Sequence, residues 1–370
     1  MKGILLVTNY FENDSRVLKE ALSLHRAGYD ITVAALYKEG LQPYEERQGI
    51  KIQRIKLRTK NWGHNPLSLF LKYAEFVIRA IWRFRQADFI HCNDLDTLPV
   101  GWWIRTLGKN KKVIYDAHEF EIDQRENASL LRKKLLFWAE RFFIRKASGV
   151  LTVGEIIADE YARLYPIARP TVVMNCPHRQ ERHRSTLLRD KFRIGSDEKL
   201  FIYQGAFMPG RGIELLLEAF QTLPPKYKIV FMGYGSLEEM IKEKAARFPT
   251  IFYHPPVPYA QILDYTASAD YGMSLIEDVC FNNRNALPNK FFEYINAGLP
   301  VIVYSHGEMA SIVNRYRLGY VWDEKTESLA DFLKKIPGLA FHPARIGNQY
   351  TWENEEKKLI SFYQTVLENE

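Results

Sequence analysis

The chain is written as two successive series of short apolar runs alternated with helical patterns, parted by a polar stretch at about residues 179–199 that carries many charges and no periodic apolar face. Runs of three to six mostly apolar residues between helical segments specify strands buried on both faces, the pattern of parallel, doubly wound sheets. The first series comprises 4–8, 31–36, 89–92, 113–115 and 149–153, with a helix at 15–27 capped by Asp14 or Ser15 and stopped at Gly28. The second comprises 200–203, 228–232, 250–253, 271–275 and 301–303, with helices at 213–220 and 236–246. At 370 residues the chain exceeds what one hydrophobic core usually serves, so two α/β domains are expected, at 1–185 and 186–349. A last helix, within 350–370, is expected to cross back and brace the first domain.

Cys92, Cys176 and Cys280 stand far apart and make no metal-ligand spacing, which suits reduced thiols in a cytoplasm. The apolar run after Met1 is too short for a signal peptide, and no stretch is long enough to span a membrane. Of the formal charge of +7, residues 1–185 contribute +10 (31 basic against 21 acidic) and residues 186–370 contribute −3 (20 against 23). The front half is therefore expected to meet something acidic: nucleic acid, an anionic membrane surface or a phosphorylated substrate.

Residues 287–303 carry the most information about chemistry. Pro288 starts a helix, Lys290 and Glu293 share one of its faces, Gly298 stops it, and Pro300 leads into the strand Val301, Ile302, Val303. A helix N-terminus attracts phosphate, and a carboxylate one turn away can accept two hydrogen bonds from a sugar diol, so the pair suits a sugar nucleotide, although its spacing alone reads more simply as a surface ion pair on an ordinary helix. Two glycine-rich strand-to-helix turns support that reading. The loop from Gln204 through Gly205, Gly210, Arg211 and Gly212 supplies a forked cation, and Gly233, Tyr234, Gly235 and Ser236 repeat the design without one.

With these residues the chain resembles the family 4 glycosyltransferases of the GT-B fold over nearly its whole length. The likeness rests on Asn13-Asp14-Ser15-Arg16-Val17 with Tyr115-Asp116-Ala117-His118-Glu119, on 204–218, and on Pro288-Asn289-Lys290 through Glu293-Tyr294 to Gly298-Leu299-Pro300-Val301. It implies two Rossmann-like doubly wound domains facing a cleft, and a retaining, metal-independent transfer from a UDP- or GDP-sugar to a glycan or lipid-linked acceptor. His118, Arg211, Lys290 and Glu293 would be the catalytic set: Glu293 holding the ribose hydroxyls, Arg211 and Lys290 neutralising the leaving diphosphate, His118 meeting the sugar or its phosphate. Gly205, Gly233, Tyr234, Val257, Asn285, Leu287 and Asn289 would line the nucleotide, and Asn9, Ser15, Arg16 and Glu119 the acceptor side.

Asn285 departs from the family pattern, standing where its E-x7-E motif has the first glutamate, with Glu277 and Asp278 as nearby acids able to substitute. No cofactor or metal is expected; Asp94-Leu95-Asp96, though D-x-D in form, reads as the cap of the next helix. His91 reads as structural. Helix 67–85, with Phe70, Ala74, Val77, Ile81 and Phe84 as one stripe and Lys72, Phe76, Arg79 and Arg83 on another face, suits an anionic membrane surface, as does the basic aromatic segment 132–146. The protein is thus expected in the cytoplasm, peripheral at the inner face of the membrane, without nucleic acid as a partner. A sugar-nucleotide epimerase of the same architecture would need more acid and base groups than His118 offers, and a nucleic-acid-binding protein would leave Glu293 without a role.

Overall fold

A computed structural model describes the chain except residues 13, 64, 109, 124–128, 182, 337–348 and 369–370. It divides into two compact units, one of Met1–Met174 with Glu355–Glu370, the other of Asn175–Asn354.

The first unit is built on an eight-stranded sheet of β1 (Lys2–Leu6), β2 (Asp30–Leu36), β3 (Tyr44–Arg47), β4 (Ile50–Ile55), β5 (Phe89–Asn93), β6 (Lys112–Ala117), β7 (Gly149–Thr152) and β8 (Thr171–Val172). Its order is β3-β4-β2-β1-β5-β6-β7-β8, parallel throughout except for the β3–β4 hairpin. That hairpin turns through Gln48 and Gly49, both at positive φ, the backbone a two-residue hairpin requires. The second unit carries a six-stranded, wholly parallel sheet of β9 (Lys199–Ala206), β10 (Tyr227–Tyr234), β11 (Ile251–His254), β12 (Tyr271–Ser274), β13 (Val301–Tyr304) and β14 (Gly319–Trp322), ordered β11-β10-β9-β12-β13-β14. Its core gathers Phe201, Phe220, Phe231, Ile302 and Trp322 beneath the helices. Both sheets match the doubly wound α/β architecture expected, and in such sheets ligands bind beyond the carboxyl ends of the strands.

Four strands went unread: β3 (YEER) is polar, β8 is two residues long, β14 is only half buried, and β4 alternates too briefly. Three of the four form sheet edges, where a continuous apolar run is not needed.

The change of unit comes after Met174 rather than at residue 185. Residues past Met174 already belong to the second unit's own bonding: Pro177 accepts from the Trp352 N–H at 2.8 Å, and the Arg179 N–H donates to Glu353 at 3.0 Å. The final helix, Trp352–Glu368, passes into the first unit from Glu355 onward. There Glu355 accepts the Met174 N–H, and Tyr363 packs edge-on against Phe89.

Among the described residues no helix is long and apolar enough to cross a membrane. The stripe expected on helix Pro66–Phe84 is redrawn: Phe76 is buried together with Ala80 and Phe84, while Phe70 is exposed.

Candidate active site

In the second unit the helix Asn289–Ala297 is laid down by the signals visible in the sequence. Pro288 is its N-cap, and Gly298 ends it in the left-handed conformation at φ 79°. Lys290, in the first turn, is buried at 8% exposure, with its ammonium 3.5 Å from the centre of the Tyr203 ring. Burial drives its pKa well below the usual lysine range, the nearby Arg211 guanidinium lowers it further, and Glu293 offsets this only in part. Buried Lys290 at one helix start and partly exposed Arg211 just before another thus lie close enough to repel, an arrangement that favours a polyanion.

Arg211 comes from the loop between β9 and the helix Ile213–Thr222. Gly210 and Gly212 flank it at φ 75° and 72°, and a Cβ on Gly212 would lie 2.3 Å from the Leu275 carbonyl oxygen. Gly205 and Gly233 are register partners at the ends of β9 and β10, where a Cβ on Gly233 would lie 1.9 Å from the Gly205 oxygen. Only glycine allows the two turns to approach so closely.

Glu293 is half buried and held by a residue the sequence reading left without a role. The Gln204 amide donates to Glu293 at 2.5 Å and accepts from the Thr266 hydroxyl at 2.7 Å, while the Gln204 backbone N–H donates to the Tyr294 hydroxyl at 2.9 Å. Glu293 also lines a small cavity with Pro177, His178, Tyr259 and Asn296. Tyr234 is exposed at the end of β10, Val257 is half buried in the loop after β11, and Leu287 (half buried) and Asn289 (exposed) flank the helix start.

Asn285 does not stand open to a ligand. It is buried at 2% exposure, and its amide donates to the Phe281 carbonyl at 3.0 Å, closing the short helix Phe281–Arg284. Glu277 instead comes to the glycine loop, accepting the Gly212 N–H at 3.3 Å while its own N–H donates to Gly210 at 3.1 Å. Asp278 lies 3.6 Å from Arg284.

In the first unit the residues at the ends of β5 and β6 form an ion-pair network. Arg16 grips Asp116 through two nitrogens at 2.9 and 3.1 Å, donates to the Val173 carbonyl at 2.8 Å, and lies 3.0 Å from Glu20. It is buried at 4% exposure, so Arg16 is an internal tie and not the acceptor contact expected of it. Asn9 folds onto its own loop, donating to Asp14 and accepting from the Phe11 N–H, both at 2.8 Å. Asp14 is the N-cap of helix Ser15–Arg26; Ser15 and Glu119 are exposed, and Asn13 lies outside the described residues.

His118 is fixed by Asp116 at 3.1 Å and Asp94 at 3.5 Å. Burial alone would lower its pKa, but the two carboxylates outweigh burial and raise it to about 10, so the imidazole is a cation at neutral pH. Burial pushes Glu20 up to about 8 against the pull of Arg16, whereas Asp116, under Arg16 and His118, stays ionised well below the usual range. Asp94 does not cap the following helix as expected: at φ 61° it accepts the His118 backbone N–H at 3.0 Å, and Asp96 accepts from the Thr8 hydroxyl. Glu20, Asp116 and His118 bring ligand-type atoms within 4.8 Å of one another, but Arg16 and His118 already balance that charge. His91 is buried, with its Nδ1 on the Tyr363 hydroxyl.

Two family descriptions divide the chain: "Glycosyl transferase 4-like domain" matches residues 15–177, and "Glycosyl transferases group 1" matches residues 185–347. An uncharacterized glycosyltransferase of Methanocaldococcus jannaschii is 21% identical, covering 94% of this chain and 93% of its own. The putative teichuronic acid biosynthesis glycosyltransferase TuaC of Bacillus subtilis is also 21% identical, over 80% of this chain and 74% of its own. Sucrose-phosphate synthase from Thermosynechococcus elongatus superposes with a TM-score of 0.80 at 16% identity, covering all of both chains. The Anabaena protein HepE in complex with UDP superposes with a TM-score of 0.74 at 15% identity, covering 100% of this chain and 99% of its own.

Proposed function

The chain belongs to the family 4 glycosyltransferases of the GT-B fold, and we propose that it is a retaining, metal-independent enzyme moving a sugar from a nucleotide-diphosphate donor to a lipid-linked glycan in cell-surface polysaccharide synthesis. The observation that carries this reading is the buried Lys290 ammonium beside Arg211, two cations that a carboxylate one turn away only partly offsets. A diphosphate satisfies both. Glu293, aimed by Gln204, takes the ribose hydroxyls, and the exposed Tyr234 lies toward the base.

As the bond from the anomeric carbon to the diphosphate breaks, negative charge grows on the leaving oxygen, and Arg211 and Lys290 stabilise it where Mg2+ would do so elsewhere. The acceptor hydroxyl attacks on the face the diphosphate leaves and gives its proton to the departing phosphate oxygen, so no protein nucleophile is needed. In the first unit, His118 carries a fixed positive charge of its own.

A nucleotide donor is supported by structural neighbours held with UDP and with UDP-glucose, and a surface glycan by the relative associated with teichuronic acid. A cytoplasmic setting, where sugar nucleotides are made, completes the reading. The test is a panel of UDP-, GDP- and other nucleotide sugars, screened by thermal shift and then by hydrolysis in EDTA. One donor class stabilises the protein and is hydrolysed without metal; stabilisation by none would overturn the donor assignment, and loss of turnover in EDTA would overturn metal independence.

A further inference from the structure

Three helices of the first unit, Pro66–Phe84, Leu98–Leu107 and Leu130–Phe143, lie side by side with the second in contact with both others. Trp102 of the middle helix packs against Phe142 and Phe143 of the third. The outward faces are apolar: Ile78 and Trp82 on the first, Trp103 on the middle one, and Leu135, Trp138 and Phe142 at helical spacing on the third are all exposed, Trp82 at 65% and Trp138 at 63%. Three adjoining helices thus each leave large apolar side chains open to solvent, more exposed apolar surface than a soluble monomer usually carries without a partner.

Charge selects the partner. On the third helix and the turn after it, Lys134 and Arg145 are exposed and share the Trp138 stripe, and the Arg85 guanidinium stacks 4.6 Å over the Trp82 ring. The three helices contain two carboxylates, and neither faces outward unpaired. Glu75 accepts from Thr59 and the Arg58 N–H and pairs with Arg79, while Glu140 is buried under the hydroxyls of Tyr115, Tyr161 and Tyr165. The face therefore presents aliphatic, aromatic and cationic groups together. We infer that it docks on an anionic lipid bilayer, with Trp82, Trp103 and Trp138 at headgroup depth and the basic side chains on lipid phosphates. Exposed Ile78 and Leu135 would gain nothing from a nucleic acid. The inference extends the lipid-linked acceptor reading, but vesicle binding itself is read without donor or acceptor, and donor binding is followed separately.

The intact protein is sedimented with vesicles of phosphatidylcholine alone or mixed with phosphatidylglycerol. Partitioning onto the mixed vesicles should be at least about tenfold stronger and should weaken with salt. Trp82→Ser/Trp138→Ser and Lys134→Glu/Arg145→Glu should each lower it by at least about tenfold while leaving UDP-sugar binding in solution unchanged. Absence of vesicle binding with UDP-sugar binding intact would overturn the docking face and leave the donor site standing. Vesicle binding unaffected by both double variants would overturn it too. A concentration-dependent dimer that Trp82→Ser/Trp138→Ser disperses would give the face to a second copy of the chain and overturn the lipid assignment.

Discussion

At the scale of single residues, burial and neighbouring charge assign the chemistry more firmly than residue type does. His91, in the middle of β5, and His118, just past the end of neighbouring β6, diverge: two carboxylates hold His118 as a cation, while burial lowers the His91 pKa. A histidine raised from 6.5 to about 10 contributes stability that is complete below the unfolded value and is lost as pH rises through the folded one. The His118 ring should therefore stay protonated from pH 6 to 8 in a nitrogen-15 NMR titration, and Asp94→Asn should lower its pKa; a ring titrating near 6.5 would contradict the assignment. Lys290 and Glu293 were legible from Pro288, their spacing and Gly298. Gln204, 89 residues from Glu293, was not, because the bond joining them depends on β9 and helix Asn289–Ala297 meeting in space. Arg16 and Asn285 stood at motif positions, yet each is turned inward by partners that no local spacing announces.

Among the elements, the glycine turns after β9 and β10 are the parts a single methyl group should disable. In Gly233→Ala the new Cβ would meet the Gly205 oxygen at 1.9 Å at a φ of 155°, so the turns must part. Donor affinity is expected to fall by at least about tenfold, with a stability loss of roughly 1–3 kcal/mol. Calorimetric titration with the donor and thermal unfolding separate the two effects, and wild-type affinity would show that the turn does not border the nucleotide. The alternation that predicted two doubly wound sheets was plain because interior parallel strands are buried on both faces. The edge strands β3, β8 and β14 escaped notice because an edge needs neither length nor a continuous apolar run.

Across the whole molecule, the last helix covers part of the first unit from the far end of the sequence. Tyr363 is wholly buried between Tyr29, Phe89 and His91, and Phe362 and Val366 fill the space above Gly149. Replacing Tyr363 with alanine should cost about 3–5 kcal/mol, a large share of a domain's stability, and lower the midpoint of thermal unfolding by roughly 10 °C. An unchanged midpoint would mean that the helix is not an integral part of this unit. The return of the last helix was expected, but the first unit's limit at Met174 was not, since the polar linker reads at about 179–199 while residues just after Met174 are recruited by the second unit's own hydrogen bonds.

The central claim, a diphosphate held by the buried Lys290, is tested most directly by calorimetric titration of the nucleotide sugar into wild type and Lys290→Ala, run in buffers of different ionisation enthalpy. Because burial and Arg211 lower the free lysine's pKa, the incoming anion should raise it again, so that binding at a pH above the free value draws a proton from the buffer. Affinity should then be full below the free lysine's pKa and fall as pH rises above it. The account predicts proton uptake in the wild type, and its loss together with at least about a hundredfold of affinity in Lys290→Ala. Equal affinity of the two proteins, with no proton taken up by either, would contradict it.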